Sequence, residues 1–151
     1  MFYQIEDVKF IEPDYYQVFT ENRNKFIQFN GYRNNCANTV KTYLSLIGLD
    51  TSKVTAWADS VRNLGEVLYD PDKLQEGDVV AMGRPGNTWH VGVYLGEGKI
   101  LHQSAMRGYV VGVFKDLNAF IRDRRGFYIV RPYNSYNNIL QGQFYLFPEL
   151  T

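Results

Sequence analysis

A single cysteine stands in this chain of 151 residues, which excludes an internal disulfide and makes Cys36 a residue that needs another explanation. Histidine is almost as scarce, with two copies. Charge of either sign is not in surplus: sixteen basic and sixteen acidic residues cancel to zero, so no general affinity for nucleic acid or an anionic membrane is expected. No apolar run approaches the length needed to cross a bilayer. The N-terminus, MFYQIEDVKF, lacks the basic start and apolar stretch of a secretory signal, so synthesis in the cytoplasm is expected. Internal repeats and low-complexity tracts are absent as well. What the chain does have is 45% hydrophobic residues and 16% aromatics, a composition that builds a packed core. The length suits one domain.

Both histidines fall in one stretch, His90-Val-Gly-Val-Tyr-Leu-Gly-Glu-Gly-Lys-Ile-Leu-His102-Gln103. Val91, Val93 and Leu95 alternate with His90, Gly92 and Tyr94, the pattern of a half-buried strand. Gly96-Glu97-Gly98 breaks the run, and Lys99 to Ser104 reads as the returning strand of a hairpin. Register then decides the chemistry. A loop over 96–98 puts Gly92 opposite His102 and His90 opposite Ser104, with both imidazoles on one face. A turn at 97–98 would place Gln103 on the His90 face instead.

Along the rest of the chain, residues 1–20 are read as short strand or turn structure around Pro13-Asp14, and 21–35 as a loop leading into a helix. That helix is predicted from Cys36 to Ile47, because Cys36, Val40, Leu44 and Ile47 share one face. Asn34 or Asn35 can cap it, and Gly48 is the expected stop. A second helix is expected over 53–64, with Val54, Trp57, Ala58, Val61 and Leu64 inward. Strands are expected at Val79–Met82, Tyr109–Phe114 and Phe127–Arg131, the last closing the sheet, with a helical turn at Leu117–Ile121. Helices first and an antiparallel meander after them argue for an α+β fold. Residues 1–131 are expected to form a single domain that includes an N-terminal extension, and 132–151 a tail.

A cysteine in the first turn of a helix meets unpaired backbone N–H groups and the positive end of the helix dipole. In such a place a thiol pKa can fall from about 8.5 to roughly 3.5–7.5, above all beside an imidazolium. If the helix start packs against the hairpin, Cys36 meets His90, and a second polar residue orients the imidazole. The plainer reading is that Cys36 is a small buried hydrophobe. Trp89 reads as a cleft wall or core aromatic, Asp78 as a cap or turn residue, and Arg122 to Arg125 as a solvated loop balanced by Asp123. Cys36, His90 and His102 lack any recognised zinc spacing, so no metal and no cofactor is expected.

LQEGDVV at 74–80 followed by HVGVYLGEGKILHQ at 90–103 resembles the core of NlpC-type papain-like cysteine peptidases, a superfamily of bacterial cell-wall endopeptidases. The resemblance spans residues 32–131, with its specific part at 74–103. It implies N-terminal helices packed on a central antiparallel sheet and a triad of Cys36, His90 and His102. It also implies hydrolysis of an amide in a peptidoglycan stem peptide. Gln103 is the competing third member of the triad. Tyr32, Asn35, Trp89 and Gln103 are candidates for substrate or oxyanion contacts, and the Cys36 main-chain N–H is an oxyanion donor. The family usually carries Asp-Cys-Ser-Gly at the nucleophile, whereas this chain has Asn35-Cys36-Ala37-Asn38, which leaves the scissile bond open. A wall-cutting enzyme without a signal needs another exit, so delivery by a bacteriophage tail or a lysis system is expected, with phage tail proteins as partners. The alternatives are a non-catalytic structural or adaptor protein of a phage tail and a related amidase or acyltransferase.

Overall fold

The computed structural model describes residues 14–26 and 35–133. Tyr32, Asn34, most of the expected N-terminal strand region and the 134–151 part of the tail lie outside them.

Among the described residues three helices and six strands follow in the order α1 (Tyr15–Glu21), α2 (Cys36–Leu46), β1 (Gly65–Leu68), β2 (Val79–Arg84), β3 (Asn87–Gly96), β4 (Lys99–Ser104), β5 (Val110–Phe114), α3 (Leu117–Ile121) and β6 (Phe127–Pro132). Short 3-10 turns fill several connections. All strands pair antiparallel in one sheet ordered β1-β6-β2-β3-β4-β5. The α+β arrangement of helices on an antiparallel sheet is therefore as expected, but β6 does not close an edge. It lies between β1 and β2.

Residues 15–21 are helical rather than extended. The Asp14 carboxylate accepts the Gln17 N–H at 3.0 Å, an N-cap that diverts the chain into a helix whose Phe19 is buried. Helix α2 begins at Cys36 as expected and ends one residue early. Gly48 adopts φ +88° and lets the Leu49 N–H reach the Leu44 carbonyl at 3.0 Å, a Schellman-type stop that only a residue at ease with positive φ closes without strain. Cys36, Ala37, Val40, Tyr43 and Leu44 line its buried face.

The predicted second helix is a 3-10 segment over Ala58–Leu64, and residues 53–57 are not helical. Side chains there compete for the backbone. Ser60 Oγ accepts the Thr55 N–H at 2.8 Å and bonds the Trp57 carbonyl at 2.7 Å, while Thr55 Oγ1 accepts the Trp57 N–H at 3.2 Å. Val54, Val61 and Leu64 are buried as expected, but Trp57 is 79% exposed.

The sheet buries both faces. On one side Val79, Ala81, Val91, Val93, Leu101, Val111, Tyr128 and Val130 form one core with the buried residues of α1 and α2 and with Val61 and Leu64 of the 58–64 segment. On the other, Phe120 of α3 packs with Val80, Met82 and Ile100. The loop ahead of β2 is tied to β6 by Asp78, which accepts Arg131 Nε at 3.1 Å, Arg131 Nη2 at 2.9 Å and the Gln75 N–H at 2.8 Å. It is thus both the turn residue expected and half of a buried ion pair.

Candidate functional site

The β3–β4 hairpin resolves its register by combining both expected turns. Glu97 and Gly98, at φ 54° and 77°, form a two-residue turn that pairs Gly96 with Lys99. A bulge between Tyr94 and Gly96 absorbs one residue and restores Tyr94 opposite Ile100 and Val93 opposite Leu101. Gly92 therefore faces His102. A Cβ at position 92 would come within 3.0 Å of the His102 Cβ and 2.6 Å of Ile100 Cγ2, so the glycine is what leaves room for the ring.

His90 Nε2 and His102 Nδ1 lie 2.9 Å apart, a hydrogen bond between the two imidazoles. His102 Nε2 continues to Asp116 Oδ2, also at 2.9 Å. Arg107 Nη1 reaches the same carboxylate oxygen at 3.0 Å and Ser104 Oγ at 3.1 Å. Phe120 packs against both rings, with centroid separations of 5.4 Å to His90 and 5.2 Å to His102. Desolvation pushes the His90 imidazole down to about 3, helped by His102 and opposed by Asp116. Burial lowers His102 as well, against the pull of Asp116. Burial works against the Asp116 charge, yet the hydrogen bonds from His102 and Arg107 hold it below the usual carboxylate range. At neutral pH the set is two neutral imidazoles and one carboxylate.

Cys36 is the first residue of α2 and is 5% exposed. Its sulfur meets the main-chain N–H of Val91, next in the chain to His90, together with the N–H groups of Cys36 and Ala37. Burial raises the thiol pKa above its ordinary value in spite of those donors, so the helix start does not turn it into a resting thiolate. Among the described residues no hydrogen bond joins the thiol to His90. Cys36 lines a cleft of about 380 Å³ together with Ala56, Trp57, Ala58, Thr88 and Trp89.

Gln103, on the neighbouring register position, takes no part in the imidazole chain. Its Oε1 accepts the Asn35 N–H at 3.2 Å, and its Nε2 donates to the Tyr109 carbonyl at 3.2 Å, so it clamps the start of α2 to β4. Asn35 is the N-cap residue of α2, but its side chain makes no capping bond. Its carbonyl accepts the Thr39 N–H at 3.0 Å. Trp89 is a cleft wall, 42% exposed, its indole N–H donating to Asp123 at 3.1 Å under the Arg125 guanidinium. The 122–125 loop thus does more than face solvent. Among the described residues no group of three or more His, Cys, Asp or Glu is placed to hold a metal. Nor is any helix among them long and apolar enough to cross a membrane. Reading the sequence missed Asp116, Arg107 and the exposure of Trp57.

A helix that starts on a cysteine and packs on an antiparallel sheet bearing paired histidines defines a papain-like α+β protein. The NlpC/P60 family model matches residues 25–129, and the chain belongs to that family. Solved structures agree on the fold. NlpC2 from Trichomonas vaginalis superimposes with a TM-score of 0.59 at 20% identity, over 88% of this chain and 51% of that one. NlpC1 from the same organism gives 0.57 at 20% identity, over 87% and 48%. The NlpC/p60 domain of the peptidoglycan hydrolase SagA gives 0.53 at 21% identity, over 76% of this chain and 95% of that domain. The present chain spans about half the length of the two Trichomonas chains. No curated protein sequence matches it.

Proposed function

We propose that this protein is a cysteine hydrolase that cleaves an amide bond in peptidoglycan stem peptides. The observation that carries the reading is the hydrogen-bonded pair His90–His102, set one residue from the point where the Cys36 sulfur meets β3, with Cys36 and Trp89 lining a cleft. Cys36 Sγ attacks the amide carbonyl carbon as its proton passes to His90. The carbon–nitrogen bond then breaks, His90 returns the proton to the leaving amine, and water hydrolyses the thioester. Because the thiol and imidazole rest neutral, His90 acts as a general base during attack rather than as half of a standing ion pair. Backbone N–H groups at the α2 start face the developing oxyanion, a contribution of about 3–4 kcal/mol for a well-placed donor. Family membership and the likeness to SagA, itself described as a peptidoglycan hydrolase, support the substrate class.

The test is muropeptide analysis after incubating the purified protein with peptidoglycan. New amine ends are expected from the wild type and from neither Cys36→Ala nor His90→Ala. Products that persist in Cys36→Ala would overturn the assignment. A second reading, a wall-binding or tail adaptor domain without activity, is favoured by the buried thiol that lacks a bond to His90. Wild-type inertness with saturable peptidoglycan binding would select it. Delivery with a phage tail or lysis system belongs to the same proposal, and mass spectrometry of purified virions tests it.

A further inference from the structure

Asp116 sits where a carboxylate can dictate which nitrogen of each imidazole carries a proton. A carboxylate only accepts, so the His102 Nε2 at 2.9 Å from it must be the protonated nitrogen. A neutral His102 then has a bare Nδ1, which also only accepts. The His90 Nε2 at 2.9 Å from that Nδ1 must therefore carry its proton. The last consequence is a bare His90 Nδ1. That is the lone pair a general base needs.

The surroundings lock this relay. Arg107 is stacked over Phe114, 3.9 Å from the ring centroid, and pins the Asp116 oxygen that His102 uses. Phe114 and Phe120 both pack edge-on against His102 at interplanar angles of 81° and 87°. Two aromatic rings thus pack against His102 while its two nitrogens bond Asp116 and His90.

We propose that Asp116 is a positioning residue that acts through His102 to keep His90 in the Nε2–H tautomer and to balance its charge when it takes a proton. Among the described residues its side chain bonds only His102 and Arg107, and none of the cleft-lining residues. The effect on rate rests on the hydrolase reading, but the tautomer assignment does not.

Long-range 1H–15N correlation spectra of protein labelled at its two histidines read the assignment without substrate. The wild type at pH 7 is expected to show both rings neutral and protonated at Nε2. A proton on Nδ1 of either ring overturns the proposal, and no variant has to fold for that result. In Asp116→Ala, Nδ1–H forms are expected to appear in both rings together, with kcat reduced at least about 100-fold and KM nearly unchanged. Asp116→Glu, which keeps the carboxylate, should recover part of that loss. An Asp116→Ala protein with wild-type tautomers and kcat within about threefold of the wild type would sink the relay while leaving the hydrolase reading intact. A wild type inert toward peptidoglycan, whose tautomers still shift on substitution, would sink the hydrolase reading and leave the relay.

Discussion

Replacing Gln103 by leucine should loosen the start of α2 and, with it, the seat of Cys36. The side chain is 3% exposed and bridges the Asn35 N–H and the Tyr109 carbonyl, each at 3.2 Å. Leucine keeps roughly the same volume, so little of the loss comes from a cavity. Two hydrogen bonds contribute about 0.5–1.5 kcal/mol each, and the Asn35 N–H, in a residue also buried, loses a partner at a further cost of about 1–3 kcal/mol. The Tyr109 carbonyl lies in a half-exposed residue and can turn to water. With the Tyr109 bond replaced by one to water, a net destabilisation of about 1.5–4.5 kcal/mol follows. Urea titration of wild type and variant at one pH measures it, with unchanged slope as the sign that the unfolded state is unaltered. A second readout is alkylation of Cys36. Burial raises the pKa of this thiol and shields it, so freeing the helix start should raise the iodoacetamide rate. A variant within about 1 kcal/mol of the wild type, alkylating at the same rate, would refute the clamp.

Three further outcomes follow from the site. Iodoacetamide should label wild-type Cys36 more slowly than a free thiol at pH 7, with a rate still climbing as pH passes 9, because burial raises the thiol above its ordinary value; a plateau reached near neutrality would contradict this. His90 is held at about 3 against 6.5 in an unstructured chain, so its neutral form stabilises the fold fully above pH 6.5 and that share is lost as pH falls toward 3. The loss runs at up to about 1.4 kcal/mol per pH unit, and urea midpoints between pH 6.5 and 3 should fall less steeply in His90→Gln than in the wild type. Parallel profiles would mean that His90 is not buried as a neutral base. Gly92→Ala forces a Cβ to 2.6 Å from Ile100 Cγ2 and 2.9 Å from the Leu101 carbonyl. Overpacking of this kind costs about 1–3 kcal/mol, and the His90–His102 bond should weaken in the same imidazole spectra.

Much of this architecture could be read from periodicity, because periodicity reports which residues face a core. Helix α2 and strands β2 to β6 follow their apolar spacing to within a few residues. Failures fall where side chains compete with the backbone. At 53–57 the apolar spacing of Val54, Trp57 and Ala58 mimics a helix, but Thr55 and Ser60 satisfy the main chain locally and Trp57 turns outward. At 15–21 the cluster of aromatics suggests extended chain, yet the Asp14 cap nucleates a helix. Strand β1, only four residues long and bound to β6 alone, has too few residues to show alternation. The placement of β6 in mid-sheet is a long-range pairing that no local pattern encodes.

The site shows the same division. Cys36, His90 and His102 stand out because their residue types are scarce and their motif is specific, and Gln103 is notable only as a neighbour of His102. Its role in clamping α2 depends on a contact across 68 positions of sequence, which local reading does not reach. Asp116 is the sharper case. An aspartate ahead of Leu-Asn-Ala-Phe-Ile is an ordinary helix-cap signal, and Asp116 does occupy the N-cap position of α3. There its carbonyl accepts the Ala119 and Phe120 N–H groups, at 2.9 and 3.2 Å, but its side chain makes no capping bond. A cap aspartate normally spends its carboxylate on the helix it starts. This one is turned away toward His102 and Arg107, and α3 goes without the roughly 1 kcal/mol that a side-chain cap contributes. That choice of partners over a local cap is the geometry on which the proposed positioning role of Asp116 rests.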